Sequence, residues 1–204
     1  MILYRSSTPK RRLSLSFLTS QGQHTALLAQ LDKNSWIDEI FKRPLPIPHD
    51  FQTRFGPPGF AHNVFYASER RETTFFEFGY NLLKARSVLG RGIRAVCFEV
   101  TFHPKLRPIE ISAAENVKEL LNPQSYAAAQ RWILQQNLVP ESLRYPSLRD
   151  PEQSGINFAI YKRSALKATL LDPEELILTP QANGTLDLAS LTRGQLPSIK
   201  PIFY

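Results

Sequence analysis

Glu77 stands in the run Phe75-Phe76-Glu77-Phe78, and its position asks for a reason. A carboxylate flanked by three phenylalanines incurs a desolvation penalty unless a cation pairs with it or it opens into a cleft. A structural ion pair to an arginine and a functional carboxylate both satisfy that requirement. Arg54, just ahead of Phe55-Gly56-Pro57-Pro58-Gly59, has the same duality. Its planar, permanently charged guanidinium can bridge the loop to a carboxylate or grip two phosphate oxygens at once. Arg5 follows the apolar Ile2-Leu3-Tyr4, and Tyr66 lies within Val64-Phe65-Tyr66-Ala67, so each is a polar group attached to an apolar element.

Other chemistries find less support. There is no Walker-type loop, no G-x-G-x-x-G after a strand and no G-x-S-x-G elbow, so neither a P-loop NTPase, a Rossmann dehydrogenase nor a serine hydrolase is indicated. The four histidines, His24, His49, His62 and His103, show no paired ligand spacing, and metal-free chemistry is expected. Cys97 has no cysteine to pair with and lies in Ala95-Val96-Cys97-Phe98-Glu99-Val100, the setting of a buried structural thiol. The net charge of +7 favours an anionic partner, whether nucleic acid, a phosphate-bearing small molecule or an acidic protein. Lys10-Arg11-Arg12 is the densest basic cluster, equally well read as a solvated stretch.

The elements that must carry these residues are legible in outline. Ile2 to Arg5 and Val64 to Ala67 read as strands, and Glu72 to Arg86 as a helix with Phe75, Phe76, Leu82 and Leu83 available for packing. Arg94 to Phe102 is the clearest strand; Arg107 to Ile111, Ile156 to Lys162 and Leu176 to Thr179 are further candidates. Helices are expected from about Thr25 to Phe41 and over Tyr126 to Gln136. Prolines stiffen Arg43 to Gly59 into a loop, and Gln195 to Tyr204, with Pro197 and Pro201, reads as irregular. With 204 residues, 42% of them hydrophobic, one core suffices, and a single α+β domain over 1–204 with a mainly antiparallel or mixed sheet is expected. No apolar run is long enough to cross a bilayer and the N-terminus lacks a signal peptide's apolar stretch, so a cytoplasmic protein is expected.

Taken in order, Thr53-Arg54-Phe55-Gly56-Pro57-Pro58-Gly59, Val64-Phe65-Tyr66-Ala67-Ser68 and Phe75-Phe76-Glu77 closely resemble the central signature of the RES family, with Tyr66 and Glu77 eleven positions apart. Leu143 to Arg149 and Gly155 to Ile160 resemble its C-terminal Pro-Ser turn and strand, so the likeness covers nearly the whole chain. The family is named for an Arg, a Glu and a Ser. By resemblance these are Arg5, Glu77 and Ser125, the last ahead of an Ala-rich helix, with Ser147 as the competing serine. The resemblance implies an ADP-ribosyltransferase-like fold and a toxin that depletes NAD+ by cleaving the nicotinamide–ribose bond, as glycohydrolase or phosphorylase, with no metal. It also implies a cognate Xre-type antitoxin with a helix-turn-helix domain. Arg5 and Arg54 would then neutralise the pyrophosphate and Glu77 the ribosyl cation. Tyr66 would stack on nicotinamide and Ser125 position it or the ribose, with Tyr4 and Ser147 as further substrate contacts.

Two departures stand out. Gln52-Thr53 replaces glycines common before the arginine of the Pro/Gly turn, and Thr73-Thr74 occupies a place where alanines are common. The competing functions are a protein ADP-ribosyltransferase, a non-catalytic interaction module and a basic nucleic-acid-binding protein. The last lacks any recognisable binding motif and leaves Glu77 without a role.

Overall fold

The structure is a computed structural model that describes residues 1–7, 37–38, 40–42, 53–84, 88–152, 154–168 and 174–202. Its strands are β1 (Ile2–Ser7), β2 (Phe65–Ser68), β3 (Ile93–Phe102), β4 (Ile109–Glu110), β5 (Ser142–Pro146), β6 (Ile156–Ile160), β7 (Leu166–Ala168), β8 (Glu174–Pro180), β9 (Leu186–Ser190) and β10 (Gly194–Ile199). The helices are α1 (Arg71–Lys84), α2 (Val117–Leu120) and α3 (Ala127–Leu134). One mixed sheet runs in the order β10-β9-β8-β3-β1-β2-β6-β5-β4, with β7 paired to β3. Among the described residues only the β4–β5 pair is parallel. The class is α+β, as the sequence pattern predicts.

The sheet has a seam. β1 and β3 pair along six residues, from Ile2↔Thr101 to Ser7↔Val96, whereas β1 and β2 share the single pair Tyr4↔Ser68. Beyond that pair the ladder is not continued, and the two parts of the sheet separate at residues 5–7 and 65–67. α1 lies over this region. Thr74 on α1 accepts a hydrogen bond from the Ser6 backbone N–H at 2.9 Å, which supplies a partner for a donor the missing ladder leaves without one.

Alternation along the strands sorts the side chains. Phe65 and Ala67 join Leu3, Val100, Phe102, Phe158 and Ile160 in one core, which Ile37 and Ile40 complete. The next residues in register, Tyr66 and Ser68, turn the other way. A second core around Phe55, Ile111, Ile133, Leu143, Tyr145 and Ala159 fills the β5–β6 part. A third, with Phe75 of α1, Ala95, Cys97, Leu176, Leu178, Leu186 and Leu188, fills the β3–β8–β9 part. Cys97 is buried there, and burial pushes its thiol up to about 11, so the thiolate is scarce at neutral pH.

Several expectations need adjusting. Gln195 to Ile199 is strand and not irregular, because β10 is an edge strand and its pairing with β9 shifts register between Leu196 and Ile199, the interval that holds Pro197. A proline without an N–H is tolerated at such an edge irregularity. Arg107 to Ile111 contributes only two strand residues before a 3-10 turn at Ile111–Ala113. β7 and β9, with too few strong strand formers, escape a sequence reading. Of the helix expected from Thr25, residues 37–38 and 40–41 are helical; the rest, with Lys10-Arg11-Arg12 and Arg43 to Gln52, lies outside the described residues. Among the described residues no helix is long and apolar enough to cross a membrane.

α1 is locked to the β5–β6 connection by Thr73, which is fully buried and donates to Asp150 Oδ2 at 3.2 Å. Gly155 makes this approach possible. A Cβ there would stand 2.4 Å from Thr73 Oγ1, 2.5 Å from Asp150 Oδ2 and 2.6 Å from Thr73 Cγ2, with short, buried side chains that have no room to yield. Gly155→Ala is expected to destabilise the protein by about 1–3 kcal/mol through overpacking. A urea midpoint equal to that of the wild type would contradict this packing.

Candidate active site

Register brings the polar residues together. Across β2, β6 and β5 the pairs Ser68↔Asn157 and Asn157↔Tyr145 form one row, and Tyr66↔Ala159 and Ala159↔Leu143 the next. Both rows lie on the side of the sheet that α1 covers. The space between α1, these rows and the seam is a cavity of about 440 Å³. Arg5, Arg54, Tyr66, Glu77 and Ser68 line it, as do Tyr126, Tyr145, Arg149 and Asn157.

Glu77, on the middle of α1, is half-buried, and its Oε1 accepts two hydrogen bonds of 2.7 Å, from Ser147 Oγ and from Asn157 Nδ2. The direction of the first bond is fixed by Ser147's surroundings. Its Oγ accepts the backbone N–H groups of Arg149 and Asp150, each at 3.2 Å, so the hydroxyl proton is left for the carboxylate. Ser147 is itself anchored by donating its backbone N–H to Gly155 O at 2.7 Å. Both bonds fall on one carboxylate oxygen, and Glu77 makes no ion pair among the described residues. The desolvation penalty raised by its phenylalanine neighbours is therefore met by neutral donors and by an open cavity, rather than by the arginine that a structural ion pair would require.

The arginines are held by carbonyls and rings. Arg5 reaches across the seam to donate to Tyr66 O at 2.5 Å and lies over the Phe65 ring. Arg54 is buried, and its Nη1 donates at 2.9 Å to the carbonyls of Leu120 and Asn122 at the end of α2, with Tyr126 stacked on it. Cations suit a helix C-terminus, where carbonyls lack partners. Burial pulls the Arg54 pKa down, while Tyr145, Tyr126 and Glu77 oppose that pull. Arg149, buried, donates to Ile202 O and Pro123 O and sits 3.6 Å over Tyr80. Arg54 and Arg149 thus both grip the segment after α2, from Asn122 to Pro123, that leads to Tyr126.

Tyr66 does two things. Its half-buried ring lines the cavity while its hydroxyl accepts from the Phe55 N–H at 3.1 Å and shares a 2.7 Å bond with Thr53 Oγ1. Tyr161 adds a 2.9 Å bond to Phe55 O, and Gln130 one of 2.9 Å to Thr53 O, so four bonds from three side chains fix the turn that aims Arg54. Gln52 is outside the described residues, but Thr53, where family members often have glycine, is one of these fasteners. Burial pushes the Tyr66 phenol up to about 12, with the bonds from Thr53 and Phe55 offsetting part of the rise.

Four of the residues singled out from the sequence therefore line the cavity, Arg5, Arg54, Tyr66 and Glu77, and Ser147 joins them through its bond to Glu77 Oε1 without lining the wall itself. Tyr4 and Ser125 are off its wall. Tyr4 stands opposite Ser68 and Glu99 in the ladder, and burial followed by the charge of Glu99 raises its pKa. Ser125 is exposed, and its Oγ accepts the Ala127 N–H at 3.2 Å, the work of a residue at a helix start. Of the two serines considered from the sequence, the geometry places Ser147 against Glu77, while the hydroxyl of Ser125 is bonded to the Ala127 N–H. Asn157, Arg149, Tyr126 and Tyr145 were not foreseen. Asn157 left a usable trace, a polar residue amid the buried Ile156–Ile160 run; Arg149 left none.

The RES domain sequence profile matches residues 27–179, three-quarters of the chain. The chain belongs to the RES domain family. Glu77, Arg54, Tyr66 and both serines lie inside the matched segment, whereas Arg5 on β1 and the β9–β10 hairpin lie outside it. A comparison with curated proteins finds no match. Among the described residues no group of three or more His, Cys, Asp or Glu side chains is placed to hold a metal.

In this RES protein the phenol of Tyr66 ties pH to stability with a definite sign. Its folded pKa lies above the value near 10 of an unfolded tyrosine, so the stabilisation is present below about pH 10 and is lost as pH rises towards about 12. Tyr66→Phe is expected to cost about 1–3 kcal/mol at neutral pH, since the Phe55 N–H loses its acceptor. The variant should also lose less stability than the wild type between those two pH values. Tyr145 and Tyr161, also raised by burial, contribute with the same sign in both proteins, so the difference reports Tyr66. Parallel pH profiles of the urea midpoint would contradict the assignment.

Proposed function

We propose that this RES protein binds NAD+ as substrate and cleaves its nicotinamide–ribose bond, acting as an NAD+-depleting toxin in the cytoplasm. The observation that carries this reading is Glu77, a carboxylate without a cationic partner among the described residues, held on Oε1 by Ser147 and Asn157 in a cavity it shares with aromatic rings and arginines. Arg5, Arg54, Lys84 and Arg149 line the cavity, and among the described residues Glu77 is the one carboxylate that does. That imbalance suits a ligand with an anionic diphosphate and one cationic centre.

Little acid–base work is needed from the protein. Nicotinamide leaves as a neutral molecule, taking the electron pair of its bond to ribose C1, and a positive charge develops on the sugar as in glycoside cleavage. The Glu77 carboxylate stabilises that charge and holds the ribose hydroxyls, a task in which fixed orientation counts, because a charge already in place needs no reorganisation as the bond breaks. Ser147 fixes its direction. The rings of Tyr66 and Tyr126 offer faces on which nicotinamide can stack, and the arginines hold the diphosphate side. Water then adds to C1 and releases a proton, giving ADP-ribose, or inorganic phosphate adds to give the ribosyl phosphate. These two outcomes rank ahead of transfer to a protein side chain because both deplete the pool. An Xre-type antitoxin is the proposed partner, with an acidic surface where it covers the cavity, and direct nucleic-acid binding is not expected.

The test is NAD+ loss and nicotinamide release by the purified chain, with and without phosphate. Glu77→Ala is expected to lower kcat on the order of a hundredfold or more. Ser147→Ala should lower it in the same direction, while Ser125→Ala leaves it within about twofold, since that exposed hydroxyl bonds the Ala127 N–H and does not line the cavity. A folded wild type that neither binds nor consumes NAD+ would overturn the proposal, and binding without turnover would put the interaction module in its place.

A further inference from the structure

Asn157 is buried to 4% exposure as the second residue of β6, a strand otherwise built of Ile156, Phe158, Ala159 and Ile160. A primary amide in such a place is costly unless both its ends are satisfied. Its Nδ2 donates to Glu77 Oε1 at 2.7 Å, and its Oδ1 accepts from Ser68 Oγ at 2.6 Å. Ser68 is 3% exposed and directly opposite Asn157 in the β2–β6 register, and it also forms the single β1–β2 pair at the seam. The Glu77 carboxylate, which only accepts, takes the Nδ2 end of the amide, and that leaves Oδ1 to the Ser68 hydroxyl, which donates to it. The chain Ser68, Asn157, Glu77 therefore has one direction, and Ser147 meets it from the β5–β6 connection on the same oxygen.

We infer that Asn157, anchored through Oδ1 by Ser68, is a positioning residue of the site: with Ser147 it commits Oε1 of Glu77 and leaves Oε2 to face the cationic end of the ligand. This rests on the proposed function for the identity of the ligand, but the geometry of the carboxylate stands apart from it. Ser147 and Asn157 both belong to the β5–β6 hairpin, which the bond from Ser147 N–H to Gly155 O closes, so together they hold the carboxylate of α1 to one unit.

The test uses the full chain and two kinds of readout. Asn157→Asp keeps the shape of the side chain but sets a carboxylate against Glu77. A 13C NMR titration of the Glu77 carboxyl, assigned by its loss in Glu77→Gln, is expected to show the midpoint rising by about one unit or more, because a like charge disfavours the ionised form. The other charged or titratable groups of the cavity wall, Arg5, Arg54, Lys84 and Arg149 with Tyr66, Tyr80, Tyr126 and Tyr145, are the same in both proteins. Should Asn157→Asp fail to fold, Ser68→Ala serves instead, with a smaller shift in the same direction as the amide, its Oδ1 left without a partner, holds Oε1 less firmly. In NAD+ turnover both variants should lower kcat, Asn157→Asp by about tenfold or more, with KM within about twofold, the pattern of a group that acts in the transition state. An unmoved Glu77 midpoint in a folded variant, or a rise in KM alone, would overturn the inference. A moved midpoint in a chain that does not consume NAD+ would support the positioning role while rejecting the proposed function.

Discussion

A carboxylate on an aromatic-rich helix, bonded through one oxygen to a serine and an asparagine, is the interaction on which the rest of this site depends. Its energetics explain the architecture around it. Glu77 cannot be sealed into the apolar surroundings its neighbours provide, and an arginine close enough to neutralise it would cancel the negative charge that a cationic ligand needs. Neutral donors resolve the conflict. They compensate part of the lost hydration while leaving the charge in place, and because each donor residue is itself held by further hydrogen bonds, the bonds have little freedom to rearrange.

That arrangement needs a helix, a strand and a turn to meet at one point, and the seam supplies the room. Continued pairing of β1 with β2 past Tyr4↔Ser68 would close the sheet at the place where Arg5 now reaches to the Tyr66 carbonyl. The interrupted ladder leaves backbone donors and carbonyls that must be paired elsewhere, and the structure pairs them with side chains from across the gap: Thr74 for the Ser6 N–H, Arg5 for Tyr66 O. The opening is therefore built from the same accounting of hydrogen bonds that holds the sheet together.

The arginines show how a site and a scaffold can share residues. Arg54 and Arg149 bind the carbonyls of residues 120–123 and 202 and stack on Tyr126 and Tyr80, so they set the wall of the cavity as well as its charge. Such arginines are already ordered before a ligand arrives, and less entropy is lost when one binds. The threonines at 73 and 74 behave similarly. Their hydroxyls tie α1 to Asp150 and to β1, which places the departure from the family's smaller residues in the scaffold, although Thr74 also touches the cavity wall.

The sequence by itself determined the α+β class, strands β1, β2, β3, β6 and β8, helices α1 and α3, the buried thiol of Cys97, and the family, because these rest on local periodicity and on the order of short motifs. It also marked Glu77, Arg54, Arg5 and Tyr66, each by the cost of a polar group among apolar ones. Which serine meets Glu77 was beyond it: Ser125 and Ser147 both stand at turns, and only the folding of the β5–β6 connection against α1 brings Ser147 within 2.7 Å while Ser125 is spent on a helix start. Asn157, 80 residues from Glu77 in the chain, and Arg149, which grips carbonyls 26 and 53 residues away, are decided by register and packing. Contacts of that separation follow from which strands pair and how a helix crosses them, and no local pattern of residues encodes them.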